Sequence, residues 1–319
     1  MQTFILVYEY KMTNHSIAIL MSTYNGQQFL AEQLQSITLQ THSNWRIVLS
    51  DDDSSDDTLL LAQQFQQQWG ANRLEARVGP KQGFCLNFLS MACDSSIRAD
   101  FYAFSDQDDV WMSDKLERAL AYFVSSIDKD IPRVYCGRTQ SVDEQLNFLG
   151  YSPLFCLPRS FRNALIQSIA GGNTMVFNQA AKELIEQAGL QDVVSHDWWL
   201  YQLIKGAGGI VYYDPKPSIL YRQHPKALVG ANRSIGARYD RFVFAWNGGF
   251  KRWNDINYAA LSSVKYLLTK DNREILELFG TLRAAKFKDR FRLLAVCGIY
   301  RQTWQGTLSL WLATFLNKL

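Results

Sequence analysis

No G-x-x-x-x-G-K-[ST] segment occurs in this 319-residue chain, and no G-x-G-x-x-G follows its first apolar strand. A P-loop and a Rossmann dinucleotide site are thereby removed as ways of holding phosphates. Cysteine is scarce and odd in number: five residues, at 85, 93, 136, 156 and 297, with no C-x-x-C pair. That disfavours zinc and suits reduced thiols in a cytosolic protein. A secretory leader is not visible, because "MQTFILVYEYK" has no basic start and its short apolar part runs into Glu9 and Lys11. Met12 is an alternative start, since "MTNHSIAILMSTYN" already opens a strand. Long apolar runs are missing as well. "LSLWLATFL" has nine residues, and Arg301, Gln302 and Gln305 interrupt any longer run, short of the ~20 that span a bilayer. Strong net charge is also lacking. At +3 the whole chain is no polyanion binder, and no nucleic-acid partner is expected.

The small net charge hides an asymmetry. Residues 282–319 hold seven Lys/Arg and one Asp, +6, which leaves about −3 for the remainder. With 47% hydrophobic residues the chain has ample material for a core.

Apolar runs alternate with helical periodicity through the first part of the chain. "IAILMS" (17–22), "WRIVLS" (45–50), "RLEARVG" (73–79) and "DFYAFS" (100–105) read as strands. "QQFLAEQLQSITLQ", "TLLLAQQFQQQW", "FCLNFLSMAC" and "SDKLERALAYFVSSI" read as the helices between and after them. This order predicts a mainly parallel sheet with helices on both faces, and ligands in such sheets bind beyond the carboxyl ends of the strands. Further strands are expected at 133–142, 209–214 and 218–224, a glycine turn running into a short strand at 170–178, and helices from about 179 and over 195–208. Residues 225–255 read as loop with short helical pieces, and the chain from about 256 onward reads as helical.

What lies at the strand ends carries the chemistry. The first strand runs into Thr23-Tyr24-Asn25, the second into Asp51-Asp52-Asp53, and the fourth into Asp106-Gln107-Asp108-Asp109. Carboxylates at i and i+2 on a strand terminus can aim hard oxygens at one point, which suits Mg²⁺ or Mn²⁺. The competing reading is that Asp108 and Asp109 merely favour the dipole of the following helix. "LSDDDSSDDT" offers either a carboxylate for a pyrimidine N–H or an ordinary turn and helix cap. "SHDWW" offers either a general base, Asp197, beside an aromatic platform of Trp198 and Trp199, or a helix cap with two core tryptophans. In "YRQHPK", Arg222, His224 and Lys226 gather cationic groups suited to a diphosphate.

The segments "ILMSTYNGQQFLAEQLQSITLQT", "WRIVLSDDDSSDDT", "FSDQDDVWMSDKL", "GGNTMVFN", "HDWW" and "YRQH", in this order over residues 17 to about 232, resemble the family 2 glycosyltransferases of the GT-A fold. "HDWW" and "YRQH" together look like the bacterial rhamnosyltransferase-like branch that builds cell-surface polysaccharides. The resemblance implies a Rossmann-like catalytic domain over 17–232, with a nucleotide-sugar half (17–125) and an acceptor half (126–232). An extension (1–16) precedes it and a basic, mostly helical region (233–319) follows. It also implies an inverting, metal-dependent transfer of a sugar, L-rhamnose from dTDP-L-rhamnose by branch, to a glycan or lipid-linked hydroxyl. Another UDP-, GDP- or dTDP-sugar, or a sugar nucleotidyltransferase, are the alternatives.

Residue by residue, the resemblance places Thr23, Tyr24, Asn25, Asp51, Asp52, Asp53, Asp106 and Arg222 around the nucleotide sugar. Asp108, Asp106 and His224 would hold the metal, Mg²⁺ or Mn²⁺. Gly172, Asn173, Trp198 and Trp199 would line the acceptor pocket, and Asp197 would be the catalytic base. Asp53 stands where the family commonly has glycine, which puts the local turn in question. The basic C-terminal helices are expected either to lie on a membrane surface or to pack on the catalytic domain or on a second subunit as a homodimer. A cytoplasmic enzyme, peripheral on the inner membrane face at most, is the expected location.

Overall fold

A computed structural model describes residues 15–125, 128, 130–224 and 248–319. The expectations for residues 1–14, for Pro225 and Lys226, and for the loop up to 247 lie outside the described residues.

The first half alternates as its periodicity requires: β1 (Ile17–Thr23), α1 (Leu30–Thr38), β2 (Trp45–Asp51), α2 (Thr58–Trp69), β3 (Leu74–Val78), α3 (Phe84–Cys93) and β4 (Phe101–Ser105). A short β5 (Val110–Trp111) and α4 (Lys115–Val124) follow. The run expected as one strand at 133–142 divides into β6 (Arg133–Gly137) and β7 (Gln140–Val142), and β8 (Phe148–Tyr151) follows. Next come α5 (Phe161–Ala164), a 3₁₀ turn (Gly172–Thr174), β9 (Val176–Asn178), α6 (Gln179–Ala188), α7 (His196–Gly206), β10 (Ile210–Asp214) and β11 (Ile219–Arg222). The C-terminal part is helical: α8 (Gly249–Ser263), α9 (Lys270–Ala284), α10 (Phe287–Cys297) and α11 (Trp304–Phe315). Between α9 and α10 the helical stretch breaks at Ala285-Lys286, both in extended conformation.

Seven strands form the central sheet in the order β10-β6-β9-β4-β1-β2-β3. Strands β4, β1, β2 and β3 are parallel, and β9 runs antiparallel between β4 and β6. Fully buried strands such as β1, with all seven residues inside, are what a sheet covered on both faces demands. A second sheet, β5-β11-β7-β8, joins the end of the acidic segment to β11 and the residues after it. The inner faces of the C-terminal helices share the main core. Leu261, Leu276, Phe279, Leu282 and Leu294 belong to the same apolar cluster as Leu20, Phe104 and Trp199. Of the two expectations for this region, packing on the catalytic domain therefore holds for its inner side.

Candidate active site

The site begins where β1 and β2 end. Thr23 and Asp51 are register partners, and the Thr23 hydroxyl donates to the Asp51 carboxylate at 2.8 Å. The same carboxylate accepts the Ser54 amide at 2.9 Å and its hydroxyl at 2.6 Å. Asp52 accepts the backbone amides of Gln82 and Gly83, at 3.3 and 2.6 Å. It thereby fixes the loop that starts α3. Asp53 alone of the three is exposed. It occupies the left-handed region with φ 74° and pairs with Lys81 at 2.7 Å.

The β1 turn is clamped to the acidic segment. The Tyr24 amide donates to Gln107 Oε1 at 2.8 Å, and Gln107 Nε2 donates back to the Tyr24 carbonyl at 2.9 Å. Gly26 permits this, since a Cβ there would stand 2.1 Å from Gln107 Oε1. Asn25 holds the next turn by accepting the Ser55 amide at 2.8 Å. The Tyr24 ring remains exposed at the rim.

Asp106, Asp108 and Asp109 each bring a carboxylate oxygen within 4.8 Å of the others. His224 Nε2 lies 2.8 Å from Asp108 Oδ2. Burial, then the charges of Asp108 and Asp197, push the Asp106 carboxyl up to about 8. The same observation places Asp197 close enough for its charge to act on the cluster, although 91 positions separate it from Asp106 in the sequence.

Two buried cations lie behind the acids. The Lys115 ammonium is fully buried. It donates to the Asn173 carbonyl at 2.7 Å and sits 4.4 Å from the centre of the Trp111 ring. Burial pulls it down to about 7, while Asp109 and Asp106 pull the other way. Asp109 is itself buried and accepts Asn173 Nδ2 at 2.6 Å and the Arg222 amide at 3.3 Å. Burial first, then Asp108 and Asp106, raise its pKa. Arg222 is 1% exposed. Its Nε donates to the Asp108 carbonyl at 2.9 Å, and its other nitrogens reach the Glu144 carbonyl and the Glu32 carboxylate.

Asp197 stands in the first turn of α7. Its Oδ1 accepts the Ser195 hydroxyl at 2.5 Å and the Trp198 amide at 2.7 Å. Its Oδ2 has no partner among the described residues. His196 beside it is buried, stacks on Phe88 with ring centres 4.0 Å apart, and has no hydrogen-bond partner for either ring nitrogen among the described residues. Burial holds its pKa down at about 4. Gly172 lies against this ring: a Cβ there would come 2.2 Å from His196 Nε2.

Several expectations need correction. Trp198 and Trp199 are no open platform. Trp199 is fully buried in the core, and buried Trp198 donates its indole N–H to the Ala164 carbonyl at 2.7 Å. Arg222 does not face a diphosphate, because its guanidinium is committed to the protein. Thr23 and Asp51 are buried and spend their polar groups on each other and on Ser54, so they shape the turn and line no open space. Gly172 and Asn173 are buried too, the first under His196 and the second between Asp109 and Lys115. Asp109 is no exposed helix-start charge. Lys115 and Gln107 carry roles that the sequence reading did not assign. The signal for Lys115 was present: it shares the buried face of α4 with Leu116, Ala119, Leu120 and Phe123, where a lysine needs a reason.

Residues 18–184 match the family described as Glycosyl transferase family 2. The dTDP-rhamnosyl transferase RfbG of Shigella flexneri is 31% identical over 248 residues, 73% of this chain and 81% of that protein. Among solved structures, S. aureus TarS 1-349 in complex with UDP-GlcNAc gives a TM-score of 0.53 at 13% identity, covering 86% of this chain and 82% of that one. GalNAc-T7 with UDP, GalNAc and Mn²⁺ gives 0.52 at 13% identity, covering 82% and 54%. These two likenesses concern the fold, which is GT-A-like: a mainly parallel sheet flanked by helices.

Proposed function

Since the chain belongs to glycosyl transferase family 2, we propose that it transfers one sugar, with inversion, from a nucleoside diphosphate to a hydroxyl of a glycan or lipid-linked acceptor, and that the donor is dTDP-L-rhamnose. One observation supports the site: carboxylate oxygens of Asp106, Asp108 and Asp109 gather at the end of β4, His224 reaches Asp108, and the charge of Asp197 bears on Asp106. The donor sugar rests on the similarity to the Shigella flexneri relative, which reaches across most of both chains.

Asp197 serves as the base. Its Oδ1 is held by Ser195 and the helix backbone, which leaves Oδ2 to accept the proton of the attacking hydroxyl. The acceptor oxygen bonds to the anomeric carbon as the bond from that carbon to the diphosphate oxygen breaks, and the proton stays on Asp197. No covalent enzyme intermediate is required. Tyr24, exposed at the rim, and Asp53 flank the nucleoside side.

Asp108 and Asp106, with His224, fit a hard divalent cation, Mg²⁺ or Mn²⁺: the carboxylate oxygens converge, and burial together with the neighbouring acids raises the Asp106 pKa. Such an ion would supply charge neutralisation for the leaving diphosphate. Arg222 and Lys115 act from behind by fixing the segment that carries these acids.

The test is a thermal-shift and transfer screen of dTDP-, UDP- and GDP-sugars with and without Mn²⁺. Stabilisation and turnover with dTDP-L-rhamnose are expected. A response confined to UDP- or GDP-sugars would reassign the donor, and no response to any of them would remove the transferase reading of this site.

A further inference from the structure

Helices α10 and α11 turn large apolar side chains away from the protein. On α11, Trp304, Leu308, Trp311, Leu312, Phe315 and Leu316 are all exposed, Trp304 to 73%. Their spacing of i, i+4, i+7, i+8, i+11 and i+12 marks one helical face. That face is ordinarily the buried one, yet the buried residues here, Leu310 and Thr314, lie on the other side. Phe287 and Phe291 of α10 extend the surface. Phe287 meets Phe315 edge-on with ring centres 4.5 Å apart, and Phe291 meets Trp311 at 6.3 Å.

The rim of this surface is cationic. Lys286, Lys288 and Arg292 are exposed on or beside α10 and have no partner among the described residues. From 286 to 319 six Lys/Arg stand against Asp289, +5. The apolar surface continues into a groove of about 730 Å³ lined by Leu154, Leu157 and Trp304. That groove borders the segment after β8, in the small sheet whose β11 bears Arg222, two residues before His224.

An exposed apolar surface of this extent calls for a cover. We infer that it docks on an anionic lipid bilayer, with the tryptophans and phenylalanines in the headgroup region and Lys286, Lys288 and Arg292 against lipid phosphates. Charge selects this occupant. Two-fold pairing with a second copy would set +5 against +5, whereas an anionic leaflet complements it. The mixture of indole rings and cations is what a bilayer interface accommodates. The contact lies on the bilayer, because among the described residues no helix is long and apolar enough to cross one. This inference is independent of the donor sugar, and its test contains none.

The full-length chain is mixed with vesicles of phosphatidylcholine alone, or of phosphatidylcholine and phosphatidylglycerol in equal parts, and vesicle flotation is measured. Flotation is expected with the anionic vesicles only, weakening as salt rises. The pair Trp311→Ser with Phe315→Ser, and separately Lys288→Glu with Arg292→Glu, should each weaken it at least ~10-fold. The charge-reversal pair touches no core residue, so it keeps the test decisive if the serine pair lowers the melting temperature. Absence of flotation with wild type, or flotation indifferent to both pairs, overturns the inference. So does a dimer in sedimentation that the serine pair dissociates, since the face would then be a self-interface.

Discussion

His224 Nε2 and Asp108 Oδ2 lie 2.8 Å apart across 116 residues of chain. Arg222, two positions earlier, holds the Asp108 carbonyl through its side chain and the Asp109 carboxylate through its amide, so the end of β11 grips the acidic segment three times. An orienting partner of a charged ligand group typically governs affinity or activity by 10–100-fold. His224→Ala is accordingly expected to lower sugar transfer by ~10–100-fold, and Asp108→Asn by ~10²–10³-fold. Steady-state transfer rates and calorimetric Mn²⁺ titration provide the check. An unchanged Mn²⁺ affinity in Asp108→Asn would place the ion elsewhere.

Asp197→Asn separates catalysis from binding. The replacement keeps an oxygen to accept Ser195 and the Trp198 amide, so helix α7 should hold. Transfer should drop ~10²–10⁴-fold, the usual contribution of a positioned base. The thermal shift caused by the donor should remain. A variant that transfers at the wild-type rate means that another group takes the proton.

Lys115 and Asp109 should prove energetically coupled. Both are buried, and both touch Asn173. Lys115→Met removes the nearby cation and is expected to destabilise the protein by ~2–4 kcal/mol. With Asp109→Asn added, the loss should be smaller than the sum of the single losses, with a coupling of at least ~1 kcal/mol in urea unfolding. Strict additivity would mean that the lysine does not compensate this acid.

His196 sets a pH dependence of stability. Its folded pKa, about 4, lies below the ordinary histidine value because the ring is buried. The unfolded chain therefore binds more protons between about pH 6.5 and 4, and stability present above that window is lost as pH falls through it. His196→Met, which fits an apolar pocket against Phe88, should flatten this part of the curve relative to wild type. Parallel urea-midpoint profiles for the two proteins would exclude the assignment.

Asp53 tests the turn. It adopts φ 74°, where a side chain is strained and glycine is not. Asp53→Gly should leave stability unchanged or raise it by up to ~1 kcal/mol, since the Lys81 pair it loses is exposed and weak. Asp53→Val should lower stability in the same chemical-denaturation assay.

The order of strands and helices in the first half was legible because apolar period and turn residues are local properties of the chain. So was the placing of carboxylates at the ends of β2 and β4, which needs only the knowledge of where each strand stops. The split of 133–142 was not legible. Its two pieces belong to different sheets, and only the partner strands β9, β10 and β11 decide that. The fates of Trp198 and Trp199 were also undecided, since an aromatic pair at a helix start has the same spacing whether it faces a pocket or the core.

The sequence by itself therefore settled the sheet and the presence of three acids at one strand end, because backbone hydrogen bonding and apolar burial act over short stretches. The tertiary structure settled what offsets them. Lys115 and Arg222 are brought beneath the acidic segment from α4 and β11, Gln107 is locked to Tyr24, and Asp197 is carried to within electrostatic reach of Asp106. Charge interactions depend on distance through space and on burial, and neither is a property of position along the chain.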